Sequence, residues 1–336
     1  MAWYHIPGNE QDIAISTQVR FMRNLVDLPF PSRLDTARAR ELLNRVGKVL
    51  EENGFTRIDM ADISRTIAQS LIEKHYVGPS FVRKSLPHAL FLNEPCNLSV
   101  MVGDEDHIRL QCMLSGLSLR DAYAGADKIE SLLDSHLDIA FDKKWGYLTS
   151  NPADLGTAMR ITVTLCLPML ALSHRMDALS MSLGQMGFLM RRVYGGELRQ
   201  LGSLVQISNR ITLGMTEESL LNRMEVAVKQ IIAQERSLRD SAMHSDSHTV
   251  TDRVFRAEGI LRHAHTLTAT EMTDLLTQLR MGAALGLTDT RIESITSLLV
   301  EAMPSTLSIG GDSHPKSDQE RNILRARLVK EKLFGA

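Results

Sequence analysis

Residues 97–112 read NLSVMVGDEDHIRLQC, two short apolar runs separated by a charged turn. The runs Asn97–Val102 and His107–Cys112 predict two β-strands that flank the turn GDED. The turn contains Glu105, and Arg109 lies in the second run. The stretch that indicates a sheet therefore also contains side chains capable of chemistry.

Helical patterns surround this strand pair. Asp35–Asn53 has apolar residues at helical spacing. In Thr216–Asp240, Thr216 can cap the helix and the two glutamates after it suit its positive end. Gly156–Leu172 is apolar on most faces and predicts a buried helix. The other predicted helices are Ser118–Ile139, Arg253–His263, Ala269–Leu285, Asp289–Ala302 and Ser317–Leu333.

The length of 336 residues predicts two domains. The segment His244–Thr251 (HSDSHTVT) is polar and without periodicity, so we place the boundary there, giving domains 1–245 and 246–336. The first part mixes α and β, and the second is all α. SIGGDSHPKS, residues 308–317, predicts an exposed loop.

Composition excludes several classes of protein. The 38 Lys+Arg and 40 Asp+Glu give a net charge of -2, so no global nucleic-acid surface is expected. No apolar run reaches membrane-spanning length, and the N-terminus has no signal pattern. Cys96, Cys112 and Cys166 are odd in number and far apart, which fits free thiols in a reducing cytoplasm and no metal motif.

Neither GxxxxGK[ST] nor GxGxxG occurs in the chain, so a nucleotide would have to be held without the common phosphate loops. Arginine side chains are the alternative, because they grip phosphate oxygens bidentately and stay charged. Taken singly, each is more often a solvated surface residue. The candidates are Arg20, Arg23, Arg109, Arg160, Arg191 and Arg192.

Four segments around these arginines resemble the guanidino-phosphotransferase (phosphagen kinase) superfamily. GDEDHIRLQ resembles its NEEDHIRIQ, and WGYLTSNPADLGTAMR resembles GYLTSCPTNLGTGLR. GSLVQISNRITLG resembles GNIFQISNQITLG, and ISTQVRFMRNL resembles SSRIRLARNL. The segments come in the family's order and with family-like spacing. The fold expected from this resemblance is α+β, an antiparallel sheet flanked by helices.

The second half of the chain resembles one bacterial branch of that superfamily. Residues 252–287 and 320–333 look like the helical C-terminal domain of bacterial protein-arginine kinases, which animal creatine and arginine kinases lack. The resemblance covers about Ile15 to Leu333. It implies ATP-dependent phosphorylation of arginine side chains in proteins.

The resemblance implies ATP and Mg²⁺ as the nucleotide and its metal. Arg20, Arg109, Arg160 and Arg191 would surround the phosphates, and His75 stands where the family has a nucleotide-contacting histidine. The full set of expected nucleotide contacts is Ser16, Thr17, Gln18, Val19, Arg20, His75, Arg109, Arg160, Ile161, Thr162, Val163, Thr164, Arg191, Arg192, Val193, Tyr194, Gly195 and Gly196.

Catalysis in the family uses two carboxylates that orient the acceptor guanidinium and take its proton. Glu105 matches the first. Counting back from QISN, Gly196 stands at the position of the second, and Glu197, one residue later, is the expected substitute if the loop shifts. Asn151 replaces the family's site cysteine, and Gln18 replaces the first arginine of RIR. Asp104 replaces a glutamate beside Glu105.

A second site is implied near the C-terminus. The bacterial branch has an RDxxRA motif that binds phosphoarginine, and here it reads RNILRA, residues 321–326. Arg321 and Arg325 lie four apart on a predicted helix, so they share a face and could clamp one phosphate. Asn322 replaces the aspartate. The alternative is a solvated helix face.

Three functions follow from these observations. The first is a protein-arginine kinase acting on proteins with exposed arginines. The second is a weakened pseudokinase that binds nucleotide or phosphoarginine and regulates a partner kinase or a Clp protease system. A free-arginine kinase is the third and weakest. A homodimer is expected through the helices Ala269–Leu285 and Asp289–Ala302, whose apolar stripes could equally form one chain's own core.

Overall fold

The computed structural model describes residues 2–193, 203–310, 315 and 317–335. Within these residues, eight strands form one antiparallel sheet in the order β2-β3-β4-β5-β1-β8-β10-β9. Its members are β1 (Ala14–Arg23), β2 (Thr56–Asp59), β3 (Ala89–Leu92), β4 (Leu98–Val102), β5 (Ile108–Ser115), β8 (Met159–Cys166), β9 (Phe188–Arg192) and β10 (Leu204–Asn209). A small hairpin of β6 (Phe141–Asp142) and β7 (Gly146–Tyr147) lies apart.

Helices cover the sheet. The first seven are α1 (Thr36–Glu52), α2 (Arg65–Glu73), α3 (Pro79–Val82), α4 (Leu119–Asp134), α5 (Pro168–Leu172), α6 (Met176–Gln185) and α7 (Glu217–Ser245). Apolar residues of α1, α4 and α7 pack on one face of the central strands and form the main core with Val19, Phe21, Ile161 and Val163. Burial of this face fixes the strand register, because a one-residue slip would turn every side chain over.

The C-terminal part contains α8 (Ser247–His263), α9 (Ala269–Ala284), α10 (Ile292–Glu301), α11 (Pro304–Ile309) and α12 (Asp318–Phe334). The apolar stripes of α9 and α10 are buried in a second core, which they share with Trp3 and with Leu90 and Met101 of the sheet. These stripes therefore pack inside their own chain, which is the alternative to the dimer contact expected of them.

The predicted strands and most predicted helices are confirmed, but the buried helix over Gly156–Leu172 is wrong. Residues 159–166 are β8, and a helix begins only at Pro168. β8 lies between β1 and β10, so both of its edges are paired. Its sequence MRITVTLC alternates apolar and polar residues as a strand does, but the apolar run Cys166–Leu172 follows without a polar break, so the whole segment resembles one apolar helix.

The polar segment at the predicted domain boundary is mostly helical. α7 runs to Ser245 and α8 begins at Ser247, so Asp246 alone separates them. The Asp246 side chain accepts a hydrogen bond from the Thr249 backbone N–H at 3.2 Å and caps α8. The division into 1–245 and 246–336 stays a prediction.

The ends of three predicted elements also move. α4 ends at Asp134 rather than Ile139, and α10 begins at Ile292 rather than Asp289. The predicted loop 308–317 begins inside α11, and residues 311–314 and 316 lie outside the described residues. In the part of the chain that the structure describes, no helix has the length and apolar character needed to cross a bilayer.

Candidate active site

A cavity of about 790 Å³ opens on the face of the sheet opposite the main core. Its walls come from the central strands, from the turn between α2 and α3, and from the loops that contain Glu105 and Asn151. The sequence-predicted residues that line it are Gln18, Arg20, His75, Glu105, Arg109, Asn151, Arg160, Thr162, Arg191 and Val193. Ten residues predicted from separate segments thus meet at one place.

Strand alternation explains this convergence. Successive side chains point to opposite faces, so Gln18 and Arg20 face the cavity while Val19 and Phe21 enter the core. In the register of the sheet, Arg20 stands directly opposite Arg160 on β8. Arg109 on β5 pairs with Met22, one step further along the same face. Three arginines from three neighbouring strands are therefore side by side.

Arg20 is the least compensated of these cations. Its Nη2 donates to Thr162 Oγ1 at 3.0 Å, while its buried Nε finds no acceptor. Burial, and next the nearby charges of Arg109 and Arg160, lower the pKa of Arg20 well below its usual value. An anion with several oxygens would relieve both the missing acceptor and the repulsion, so the donor set fits a polyphosphate.

Two aspartates hold the other arginines in place. Arg109 Nη1 donates to Asp104 Oδ2 at 2.9 Å, and Asp104 is only 1% exposed. The Arg160 guanidinium forms an ion pair with Asp154, whose side chain is 9% exposed. Each guanidinium therefore has a fixed orientation before any ligand arrives, which reduces the ordering cost of binding.

Glu105 is exposed in the turn between β4 and β5, at the rim of the cavity. Partial burial, followed by the charges of Asp106, Asp104 and Asp154, raises the pKa of Glu105, while Arg109 opposes the shift. A carboxylate with a raised pKa is a better proton acceptor than an ordinary glutamate. Its position beside the arginines suits a base that acts next to a phosphate.

Asn151 lines the same cavity but has a structural task. Its Oδ1 accepts a hydrogen bond from Ala153 N at 3.1 Å and caps a short 3-10 turn, Pro152–Asp154. That turn places the Asp154 carboxylate next to the Arg160 guanidinium. The amide can still meet a ligand, but its acceptor oxygen already has one donor.

His75 lies in the turn that ends α2. Its φ of 62° is left-handed, and the bonds His75 N–Ile72 O and Tyr76 N–Leu71 O close the helix as a Schellman motif. Burial lowers the pKa of His75 to about 4, so the ring is neutral at pH 7. A non-glycine residue in this conformation is strained, which is common at binding sites.

Gln18, at the position where the family has an arginine, hydrogen-bonds a neighbouring glutamine. Its Nε2 donates to Gln111 Oε1 at 3.0 Å, and Gln111 Nε2 donates to the backbone oxygens of His75 and Tyr76 at 2.8 and 3.0 Å. The substitution therefore links β1 through β5 to the histidine turn.

Several other expected nucleotide contacts do not line the cavity. Val19, Ile161 and Val163 are on the core face, a correction that follows from strand alternation. Ser16, Thr17 and Thr164 are buried within the strands, and Thr17 Oγ1 donates to Gly116 O at 2.7 Å. Arg192 is exposed on β9. The predictions on Tyr194, Gly195, Gly196 and Glu197 lie outside the described residues.

The phosphate clamp expected of Arg321 and Arg325 does not form. Arg325 is 2% exposed, and its Nε and Nη1 donate to Ala302 O and Leu267 O, both at 2.8 Å. Nη1 also donates to Asn322 Oδ1 at 2.6 Å. Arg321 points elsewhere and pairs with Asp318. Equal spacing on the helix hid this difference, because only the neighbouring loops decide which arginine is buried.

Several residues that line the cavity or support it were not predicted from the sequence, and four of them illustrate why. Asp154 carried a usable signal, since it follows Asn151 in NPAD and precedes Arg160 by six residues. Gln111 carried a weaker one in HIRLQ. Met303 and Pro304 gave none, because they come from the helical C-terminal part and reach the cavity only through the tertiary fold.

Two family profiles match the chain. Residues 39–238 match the ATP:guanido phosphotransferase C-terminal catalytic domain, and residues 247–335 match the protein-arginine kinase McsB C-terminal domain. The chain is 34% identical to the protein-arginine kinase of Desulforamulus reducens, over 98% of this chain and 95% of that one. It is 35% identical to that of Clostridium acetobutylicum, over 98% and 99%.

Solved structures agree on the fold. The duplicated taurocyamine kinase from Schistosoma mansoni, with bound transition state analog components, has a TM-score of 0.63 at 21% identity, over 81% of this chain and 40% of that one. Lombricine kinase has a TM-score of 0.60 at 19% identity, over 69% and 68%. With the arginine-lined cavity, the two profiles and the near full-length relatives, the chain belongs to the ATP:guanido phosphotransferase family and, within it, to the protein-arginine kinases.

Proposed function

We propose that this protein transfers the γ-phosphoryl group of ATP to arginine side chains of other proteins. The observation that carries the proposal is the convergence of Arg20, Arg109 and Arg160 beside Glu105 in one cavity. The cations suit the phosphates and the carboxylate suits a guanidinium. The near full-length likeness to protein-arginine kinases supports this function over that of a pseudokinase.

The arginines do the work of positioning and charge neutralisation. Phosphoryl transfer needs little covalent help, so fixed cations around the γ-phosphate supply most of what the protein can offer. Arg20 would take oxygens through its free Nε, and Arg109 and Arg160 are oriented by Asp104 and Asp154. Mg²⁺, when bound with ATP, supplies further charge neutralisation between phosphate oxygens.

Glu105 is the proposed base that takes a proton from the acceptor guanidinium. A guanidinium has no free lone pair at pH 7, because its pKa exceeds ~12. In the proposed step its nitrogen forms the N–P bond while the bond from the γ-phosphorus to the bridging oxygen breaks. ADP leaves with that electron pair, and the guanidinium proton passes to the Glu105 carboxylate. Glu197 is the proposed second carboxylate, and Asn151 a proposed acceptor contact.

We also propose the cellular setting that the family resemblance implies. The protein would act on proteins with exposed arginines, serve a Clp protease or its adaptor, and work in the cytoplasm. The three cysteines are free, which suits a reducing compartment. For a homodimer, α8 offers Phe255 and Ile260, which are 50% and 42% exposed. Loss of the dimer in Phe255→Asp on a sizing column would support that contact; an unchanged elution volume would remove it.

A direct assay tests the function. The protein is incubated with ATP, Mg²⁺ and an arginine-rich protein, and phosphoarginine is sought by mass spectrometry under conditions that preserve acid-labile groups. We expect phosphoarginine on the protein and none on free arginine supplied in its place. Nucleotide binding without any phosphoarginine would overturn the enzyme and leave the pseudokinase. Preference for free arginine would assign the third function.

A further inference from the structure

Two chemically different sets of residues line the cavity. One set comprises the three arginines. The other includes the apolar side chains of Ile72, Val77, Met303 and Pro304 and the imidazole of His75, which is neutral at pH 7. Gln69 and Glu73 line the cavity as well. Gly78, in the turn that follows His75, lies near the arginines, because a Cβ added there would lie 3.6 Å from Arg109 Nη1.

Met303 and Pro304 come from the C-terminal helical part. Met303 is 2% exposed and is the residue before α11, and Pro304 is the first residue of that helix. More than 200 residues separate Met303 and Pro304 from His75 in the sequence, so it is the tertiary fold that brings them together. The C-terminal part therefore supplies one wall of the cavity in the catalytic part.

Glu73 fastens this wall. Its carboxylate, 9% exposed, accepts hydrogen bonds from Ser305 N at 3.0 Å and from Thr306 N at 2.7 Å. The Thr306 hydroxyl donates to it at 2.8 Å. Glu73 is the last residue of α2 and lies two residues before His75, so one carboxylate sets the distance between the histidine turn and α11.

A second anchor lies behind the wall. Buried Arg325 of α12 donates from Nε to Ala302 O, the carbonyl directly before Met303. The Met303–Pro304 segment is therefore held from two sides, by Glu73 of the catalytic part and by Arg325 of the C-terminal part. Buried charged groups that are hydrogen-bonded in this way fix a local geometry, since leaving them unpaired is costly.

We propose that Met303 and Pro304 form the wall against which the base of the bound nucleotide packs, with Glu73 as the positioning residue for that wall. The proposal rests on the proposed function, because it assumes a nucleotide whose phosphates lie at the arginines. A flat heteroaromatic base can pack on these apolar side chains beside a neutral imidazole and a thioether, and sulfur–aromatic contacts are favourable. Base recognition would then depend on a part of the chain outside the catalytic sheet.

The test compares two ligands on the full chain by titration calorimetry. ADP carries both base and phosphates, whereas inorganic tripolyphosphate carries only the phosphates. We expect Met303→Ala to weaken ADP binding about tenfold, from lost apolar contact, and to leave tripolyphosphate binding unchanged. Met181→Ala serves as the matched control, because Met181 is 67% exposed on α6 and does not line the cavity.

Glu73→Gln provides a second variant in case Met303→Ala perturbs packing. Gln keeps the size of the side chain, but its amide N–H₂ faces donors on α11, so the wall should loosen. We expect faster hydrogen exchange over residues 304–309 and about threefold to tenfold weaker ADP binding, again with tripolyphosphate unaffected. In the wild-type chain, ADP should slow exchange in this segment and tripolyphosphate should not.

Each other outcome has a definite meaning. If either variant binds ADP as the wild type does, or loses ADP and tripolyphosphate in parallel, the wall does not contact the base and the proposal is overturned. If the wild-type chain binds tripolyphosphate but not ADP, the base site is absent. If it binds neither, the proposed function itself fails, and that result differs from every result that bears on the wall.

Discussion

At the scale of single residues, Arg20 shows a conflict between stability and binding. It stands opposite Arg160 in the sheet, its Nε has no acceptor, and burial together with the neighbouring cations lowers its pKa. Folding therefore gains little from this charge. An arginine kept in such a place is explained by a ligand that needs it, because functional sites often sacrifice local stability.

Replacing Arg20 by Met tests this conflict. We expect Arg20→Met to raise the melting temperature of the ligand-free chain by ~2–4 °C, the shift that about 1 kcal/mol produces in a domain of this size class. The same variant should lose the further rise that Mg-ADP gives the wild type. Differential scanning calorimetry with and without Mg-ADP measures both. A drop in stability without ligand would mean that Arg20 is structural.

The raised pKa of Glu105 predicts that the reaction slows at acid pH. The deprotonated carboxylate is the active form, and partial burial with three nearby aspartates raises its pKa above that of an ordinary glutamate. The rate should therefore fall as pH decreases through this raised pKa, earlier than for an ordinary glutamate. A pH profile of kcat/KM for the wild type locates that limb. A rate that stays constant down to pH 4.5 would contradict the role of Glu105 as base.

At the scale of elements, the turn that ends α2 links stability to pH. The pKa of His75 falls from 6.5 to about 4 on folding, so the unfolded chain binds more protons between these values. Stability from this group is complete above 6.5 and is lost as pH falls toward 4. Other histidines also contribute to the pH dependence of stability in this range, so a variant at His75 is needed to isolate its contribution.

His75→Asn isolates the contribution of this turn. Asn tolerates the left-handed backbone but does not titrate. The free energy of unfolding should therefore fall less on acidification, by up to the effect of about one bound proton. Urea unfolding at pH 5 and pH 7 gives the difference. Equal pH dependence in variant and wild type would mean that His75 does not carry a lowered pKa.

Two of the three arginines in helix α12, Arg321 and Arg325, differ in burial and therefore in their contribution to stability. Arg325→Met should cost about 3 kcal/mol of unfolding free energy, because Ala302 O and Leu267 O lose their donor inside the protein. Arg321→Met should change it by less than ~0.5 kcal/mol, since its ion pair is partly exposed. Denaturant titrations compare the two. Similar costs for both variants would contradict the separate roles seen here.

Element type was predictable where one periodicity runs over the whole segment. The period of α1 and the alternation in β5 are unbroken, and both predictions are confirmed. β8 has the same alternation, MRITVTLC, but a continuous apolar run follows it. The change from strand to helix falls inside that run, at Pro168, where no polar residue marks a boundary.

At the scale of the whole molecule, the sequence indicated the residues proposed to contact the substrates better than the residues that hold them in position. Arg20, Arg109, Arg160 and Glu105 could be named from motifs, because each lies in a segment with recognisable neighbours. Glu73 and Met303 could not, because their roles are defined by partners more than 200 residues away. Such roles follow from folding the strands and the C-terminal helices together.

The C-terminal helical part contributes residues to the candidate active site. Its helices share a core with Trp3 and Met101, and its Met303 lines the cavity. α11 is hydrogen-bonded to Glu73, two residues before His75, so the C-terminal part and the histidine turn are directly connected.

The proposed mechanism divides phosphate binding, by the arginines, from proton transfer, by Glu105. Phosphoarginine formation by wild type and Glu105→Gln, measured by mass spectrometry alongside calorimetric ADP binding, tests that division directly. We predict that Glu105→Gln binds ADP like the wild type and forms phosphoarginine about 10²–10⁴ times more slowly. An unchanged rate, or loss of ADP binding together with the rate, would contradict it.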